Sequence, residues 1–147
     1  MEKDAITQNL NKNEYSISIK GLRDWAKNNL ANQSIYHDVF GKNIEFTVKG
    51  IKEYLNQPHK HYFEKNQMIK NIKKVLKRSE YKGFTKYNGR ISHIFEIKIK
   101  DDASWLIANE YQGRGIIFYS ISDSEKVLTG IKKQPIYRLS ELQSDAT

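Results

Sequence analysis

Two histidines flank a lysine directly after a proline, in the run Pro58-His59-Lys60-His61, and no other stretch of the chain has residue types and spacing so suited to chemistry. On a helix the two imidazoles would point apart, whereas in an extended turn they share a side. Histidine suits general acid and base work because its pKa lies near working pH. Lysine and arginine suit the stabilisation of developing negative charge. Lys60 lies between the histidines, and Lys52 and Lys65 are close in sequence. If a helix starts near His59, His61 and Lys65 fall on one face of it. These groups match what metal-free RNA cleavage requires: the 2′-hydroxyl is the nucleophile, and the protein supplies a base, an acid and cations. Glu110 at the end of one strand, Ser120 and Ser122 on one face of the next, and Arg114 in the turn between them complete the candidate set. The plainer reading is that both histidines are solvated turn residues.

Other chemistries find less support. His37 adjoins Asp38, but neighbouring strand residues point to opposite faces, so the pair makes no dyad; a turn ending at Gly41 is expected there. His93 begins a strand and reads as structural. The sequence has four histidines, no cysteine and no HExxH, and an HxH run offers two ligands at most, so no metal site is expected. Gly113-Arg114-Gly115 reads as a hairpin turn rather than a strand-to-helix phosphate loop, so no nucleotide cofactor is expected.

The elements that must position these groups follow from periodicity. Residues 1–14 read as a polar, loosely ordered lead-in or a short helix, and YSISIK at 15–20 alternates as a short strand would. Leu22, Trp25, Ala26 and Leu30 predict a helix over 21–30, with Trp25 as a core anchor. Residues 44–47 predict a strand, and Thr47 is placed to cap a helix from Val48 to about Leu55, which Pro58 ends. Met68, Ile69, Ile72, Val75 and Leu76 then recur at helical spacing, with lysines over the remaining surface. Residues 81–89 read as a loop with an Asn-Gly turn. Runs at 92–99, 104–110 and 115–121, joined by short turns, predict an antiparallel meander. A short helix from Asp123, an edge strand at 136–139 and a loosely ordered tail from 140 to 147 follow.

At 147 residues, with 38% hydrophobic content, the chain is read as one domain, 1–147. It shows no leader pattern and no membrane-length apolar run, which makes the cytoplasm the expected location. Its charge is concentrated: Lys42 to Arg90 holds 13 Lys/Arg against 4 Asp/Glu, while the rest holds 12 against 13. Such a bias favours a polyanion partner, with Lys52, Lys60, Lys70, Lys73, Lys74, Lys77, Arg78 and Arg114 as nucleic-acid contacts. A lysine-rich solvated helix face is the competing explanation.

The order of helices followed by an antiparallel sheet resembles the barnase–EndoU–colicin–RelE-like nuclease superfamily. KGIKEYLNQPHKHYFEKNQMIKNI, FEIKIKDDASWLIANE and IIFYSISDS resemble its phage and mobile-element branch, whose domains occur in polyvalent proteins and beside phage head proteins. The resemblance covers about residues 40–133. It implies an α+β fold with N-terminal helices packed on a mostly antiparallel sheet of about four strands. It also implies a metal-independent, toxin-like endoribonuclease acting on RNA or tRNA, restrained by a cognate inhibitor or carried by a phage structural or delivery partner. On it, His59, His61 and Lys65 match the helix cluster, and Ser120 and Ser122 the strand end. Sequence reasoning therefore assigns His59 and His61 as acid and base, Lys60 and Lys65 as phosphate contacts, and Glu110, Ser120 and Ser122 as orienting groups. A non-catalytic nucleic-acid-binding or phage-associated interaction module on the same fold is the alternative.

Overall fold

Leu22, Ala26 and Leu30 recur at helical spacing and are all buried, which fixes the inner face of the first helix among the described residues, α1 (Lys12–Asn29). The computed structural model describes residues 12–111 and 115–133. The alternating run at 15–20 lies inside α1 and is not a strand, and Lys12 to Glu14 begin that helix, the helical one of the two readings for that segment. Extending a nucleated helix adds a hydrogen bond per residue, whereas a lone alternating segment needs a strand partner. The expected strand at 136–139, the tail from 140, and residues 113 and 114 of the expected turn lie outside the described residues.

A short hairpin follows, β1 (Ser34–His37) and β2 (Lys42–Glu45), where a turn alone had been expected up to Gly41. Thr47 caps α2 (Val48–Asn56) as its type predicts, its Oγ accepting the Gly50 N–H at 3.0 Å. The next helical run is broken in two: α3 (Tyr62–Gln67), a 3₁₀ turn (Met68–Asn71) and α4 (Ile72–Arg78). Its inner side buries Ile69, Ile72 and Leu76, as the apolar stripe requires.

The rest is sheet. β3 (Glu80–Tyr87), β4 (Arg90–Ile99), β5 (Asp102–Tyr111) and β6 (Gly115–Ser122) form the expected meander, with one strand more than the sequence reading gave. Residues 80–87 are a strand and not a loop; Asn88 and Gly89, at φ 50° and 78°, make the tight turn into β4. The alternation of β3 is disguised by Gly83, which sits at φ 131° where the β3–β4 register slips. The sheet has six strands in the order β1-β2-β6-β5-β4-β3, and is mixed because β2 runs parallel to β6. The α+β class therefore holds, while about four mostly antiparallel strands is corrected to six.

One main core forms where the helices meet the sheet, with Phe40, Phe46, Tyr54, Leu55, Phe95, Leu106 and Phe118 buried at its centre. After β6 the chain returns to β3, where Lys132 and Phe84 exchange both backbone hydrogen bonds, at 3.0 and 2.8 Å. No helix among the described residues is long and apolar enough to cross a membrane.

Candidate functional site

Pro58 stops α2, and the turn it starts brings both histidines onto the end of β5. Residues of one parity along β5, namely Asp102, Ser104, Leu106 and Ala108, share the face that meets the helices; Leu106 and Ala108 belong to the core. Asp102 and Ser104 extend that face to its rim. His59 Nδ1 accepts the His61 backbone N–H at 2.8 Å. The neutral ring therefore carries its proton on Nε2 and donates to Ser104 Oγ at 2.8 Å. Burial holds the His59 pKa below its ordinary value, with His61, Lys65 and Lys60 adding to the effect and Asp123 opposing it. His59 thus locks the turn to the sheet, and both of its nitrogens are committed.

His61 is placed differently. Its Nε2 meets Asp102 Oδ2 at 2.6 Å, its ring centroid is 5.9 Å from that of His59, and its side chain keeps 21% exposure. No hydrogen bond reaches its Nδ1 among the described residues. Lys60 Nζ lies 3.7 Å from the same Asp102 oxygen, and the Lys60 backbone N–H donates to Asp123 Oδ2 at 2.8 Å. The hydrogen bond from His61 and the charge of Lys60 hold the Asp102 carboxyl below the usual carboxylate range. An imidazole whose Nε2–H is held by a carboxylate presents Nδ1 as a proton acceptor, and a neighbouring ammonium can stabilise an anion formed there.

The two histidines therefore lie side by side on one turn, but with partners other than those expected. Lys65 is fully buried: Nζ donates to the carbonyls of Tyr54 (2.8 Å) and Leu55 (3.1 Å) in the last turn of α2. It also lies over the Tyr62 ring, 4.4 Å from the centroid. It closes a helix end and cannot serve as a phosphate contact. Glu110 sits eight residues along β5 from Asp102, on the order of 27 Å away, and bonds His93 Nε2 at 3.0 Å. Ser120 and Ser122 pair in register with Ile107 and Trp105, the residues that alternate with Ser104 and Leu106, so they belong to the other face. Ser120 Oγ donates to Gln57 Oε1 at 3.3 Å, and Ser122 Oγ accepts the Ser124 N–H at 3.1 Å. None of the three orients His59 or His61.

The groups that do so, Asp102, Ser104 and Asp123, were not singled out. Asp102-x-Ser104 at a spacing of two was the available signal, but Lys100-Asp101-Asp102 reads as turn composition. His93 is buried and structural as expected, bonded to Glu110 and to Tyr81 Oη, the latter at 3.0 Å. His37 is buried too, donating from Nε2 to the Ser79 carbonyl at 2.8 Å and accepting the Phe40 N–H at 3.1 Å. Among the described residues no set of three His, Asp or Glu side chains is placed to hold a metal ion.

Of the basic residues, Lys70, Lys74, Lys77 and Arg78 are exposed along the 3₁₀ turn and α4. Lys73 is half-buried and bonds Gln33 Oε1. Lys52 lies apart, in a cleft between α1 and α2. Arg114 is outside the described residues.

A family model described as large polyvalent protein-associated domain 3 matches residues 16–119, which contain the whole His59–His61 turn, Asp102 and Ser104. No curated protein matches the chain, and no solved structure matches it.

Proposed function

We propose, for a chain that belongs to the family of large polyvalent protein-associated domain 3, a role as an RNA-directed module that cleaves its substrate without metal. The observation that carries this reading is the His61–Asp102 pair with Lys60 at the same carboxylate, partly open to solvent on a turn that His59 holds rigid. In this scheme His61 Nδ1 takes the proton of a ribose 2′-hydroxyl, and the 2′-oxygen attacks the adjacent phosphorus. The bond to the 5′-oxygen breaks, that oxygen takes a proton from water, and a 2′,3′-cyclic phosphate remains. Lys60 offsets the extra negative charge as the bond forms. The resemblance to the barnase–EndoU–colicin–RelE-like superfamily supports the same chemistry. Such a module would meet RNA, tRNA included, in the cytoplasm, as part of a polyvalent protein of phage or mobile-element origin, and would need a cognate inhibitor or delivery partner to spare its host.

The test is cleavage of total tRNA and of a mixed-sequence RNA in excess EDTA. Wild type is expected to cut, His61→Ala to lose at least 100-fold of the rate, on the usual scale of an acid or base group, and Asp102→Asn to lose a large part of it. Intact RNA with wild type would refute cleavage. One observation favours a second reading, a binding module without chemistry: both His59 nitrogens are engaged, so a single imidazole is open where acid and base usually make two. That reading predicts salt-sensitive RNA binding with no cleavage in the same samples.

A further inference from the structure

A second group of cations lies outside the histidine turn, between α1 and α2. Arg23 and Lys27, one helical turn apart on α1, line a cleft of about 160 Å³ together with Lys52 of α2, and Asp24, Val48 and Ile51 complete it. Three cations against one carboxylate leave the cleft positive, and no ion pair joins any of the four among the described residues. Arg23 Nε is moreover buried and has no hydrogen-bond partner among the described residues. A buried N–H of a cation without an acceptor is costly, and that cost is relieved by an oxyanion that accepts from the guanidinium.

We propose that this cleft binds a phosphate group, with Arg23 as the hydrogen-bonding donor and Lys27 and Lys52 as charges around it. Its source is a backbone phosphate of bound RNA, and only this choice of source rests on the proposed function. The guanidinium fork matches phosphate geometry, and the lysines act as point charges. The α1–α2 cleft is thus a docking point for a strand whose cleavage takes place at the other end of α2, beyond Pro58.

Four proteins test this: wild type, Arg23→Gln/Lys52→Gln, Arg23→Lys, and a control that loses the same charge at two exposed lysines outside the expected RNA contacts, Lys86→Gln/Lys98→Gln. Thermal denaturation with inorganic phosphate, at constant ionic strength against chloride, reads the site. Anisotropy of a labelled single-stranded RNA reads its source. Phosphate is expected to raise the melting temperature of wild type and the control but not of the cleft variant. The RNA dissociation constant is expected to rise at least 10-fold in the cleft variant and less than threefold in the control. Arg23→Lys, which keeps the charge but lacks the fork, is expected to fall between. If phosphate stabilises through the cleft while RNA affinity is unchanged, the RNA source is overturned and a free phosphate is the ligand. If phosphate raises the melting temperatures of wild type, the cleft variant and the control equally, or none of them, the site is overturned. Cleavage at His61 is scored separately, so an RNA-binding but uncleaving protein refutes the proposed chemistry and leaves the cleft untouched.

Discussion

Lys65 is a lysine enclosed in the core, and the cost of burying it depends on pH. Burial pushes the Lys65 pKa from 10.5 down to about 7. Between those values the unfolded chain holds a proton that the folded chain has released, so stability rises with pH across that window and the full penalty is present below it. Urea denaturation of wild type is expected to show its midpoint climbing from pH 7 to 9.5, and Lys65→Met, which keeps the stem and removes the ammonium, should remove the climb. An unchanged slope in the variant would assign the titration to another group. On the acid side His59 and His93 are both held below the ordinary histidine value of 6.5, chiefly by burial. The unfolded chain then gains protons first as pH falls through 6.5, and stability declines until the folded state is protonated as well. Melting temperatures measured from pH 7.5 to 5 should fall, and His93→Gln, which can still donate to Glu110, should make the fall shallower.

Glycines decide how closely the elements approach. A Cβ on Gly50 would lie 2.0 Å from the Phe118 carbonyl oxygen, because α2 rests against the β6 backbone. Gly21, in the middle of α1, has nothing within 4 Å of the same position. Gly50→Ala is therefore expected to cost about 1–3 kcal/mol or more through overpacking, while Gly21→Ala should gain about 0.5–1 kcal/mol from helix propensity. Urea unfolding of the two variants checks both signs, and a neutral Gly50→Ala would mean that α2 can shift away from β6. The same contrast explains what was legible in the sequence. α2, its Thr47 cap and the strands of the meander from β4 on follow from local periodicity and capping, so they could be read directly. β3 was hidden by a glycine bulge, and β1 by its length of only four residues. The histidine turn was legible from its own residues. Its partners were not, because Asp102 and Ser104 are separated from it by about 40 residues, and a pairing across that distance is set by strand register rather than by spacing. Lys65 misled for a related reason: a lysine inside a basic run looks exposed until the end of α2 is seen to close over it.

At the scale of the molecule, the positive excess between Lys42 and Arg90 divides among separate places. Lys65 is inside, Lys60 is at the histidine turn, Lys52 is in the α1–α2 cleft, and Lys70, Lys74, Lys77 and Arg78 follow the helical run. That run leaves the turn at Tyr62 and ends where the Ser79 carbonyl meets His37, so the charges it would offer a polyanion lie apart from the His61–Asp102 pair. Attraction and chemistry should accordingly separate in kinetics. If the strand runs along α4, Lys70→Gln/Lys74→Gln/Lys77→Gln is expected to reduce the slope of log affinity against log salt by up to about 2, since each phosphate contact on a single strand contributes about 0.7. KM for RNA cleavage should rise while kcat stays within about twofold, because the lost interactions are equal in ground and transition states. His61→Ala should do the reverse, lowering kcat with little change in the salt slope. A triple lysine variant that lost kcat and kept its salt slope would mean that the basic helix helps to hold the histidine turn in place, and that the polyanion is gathered at the α1–α2 cleft instead.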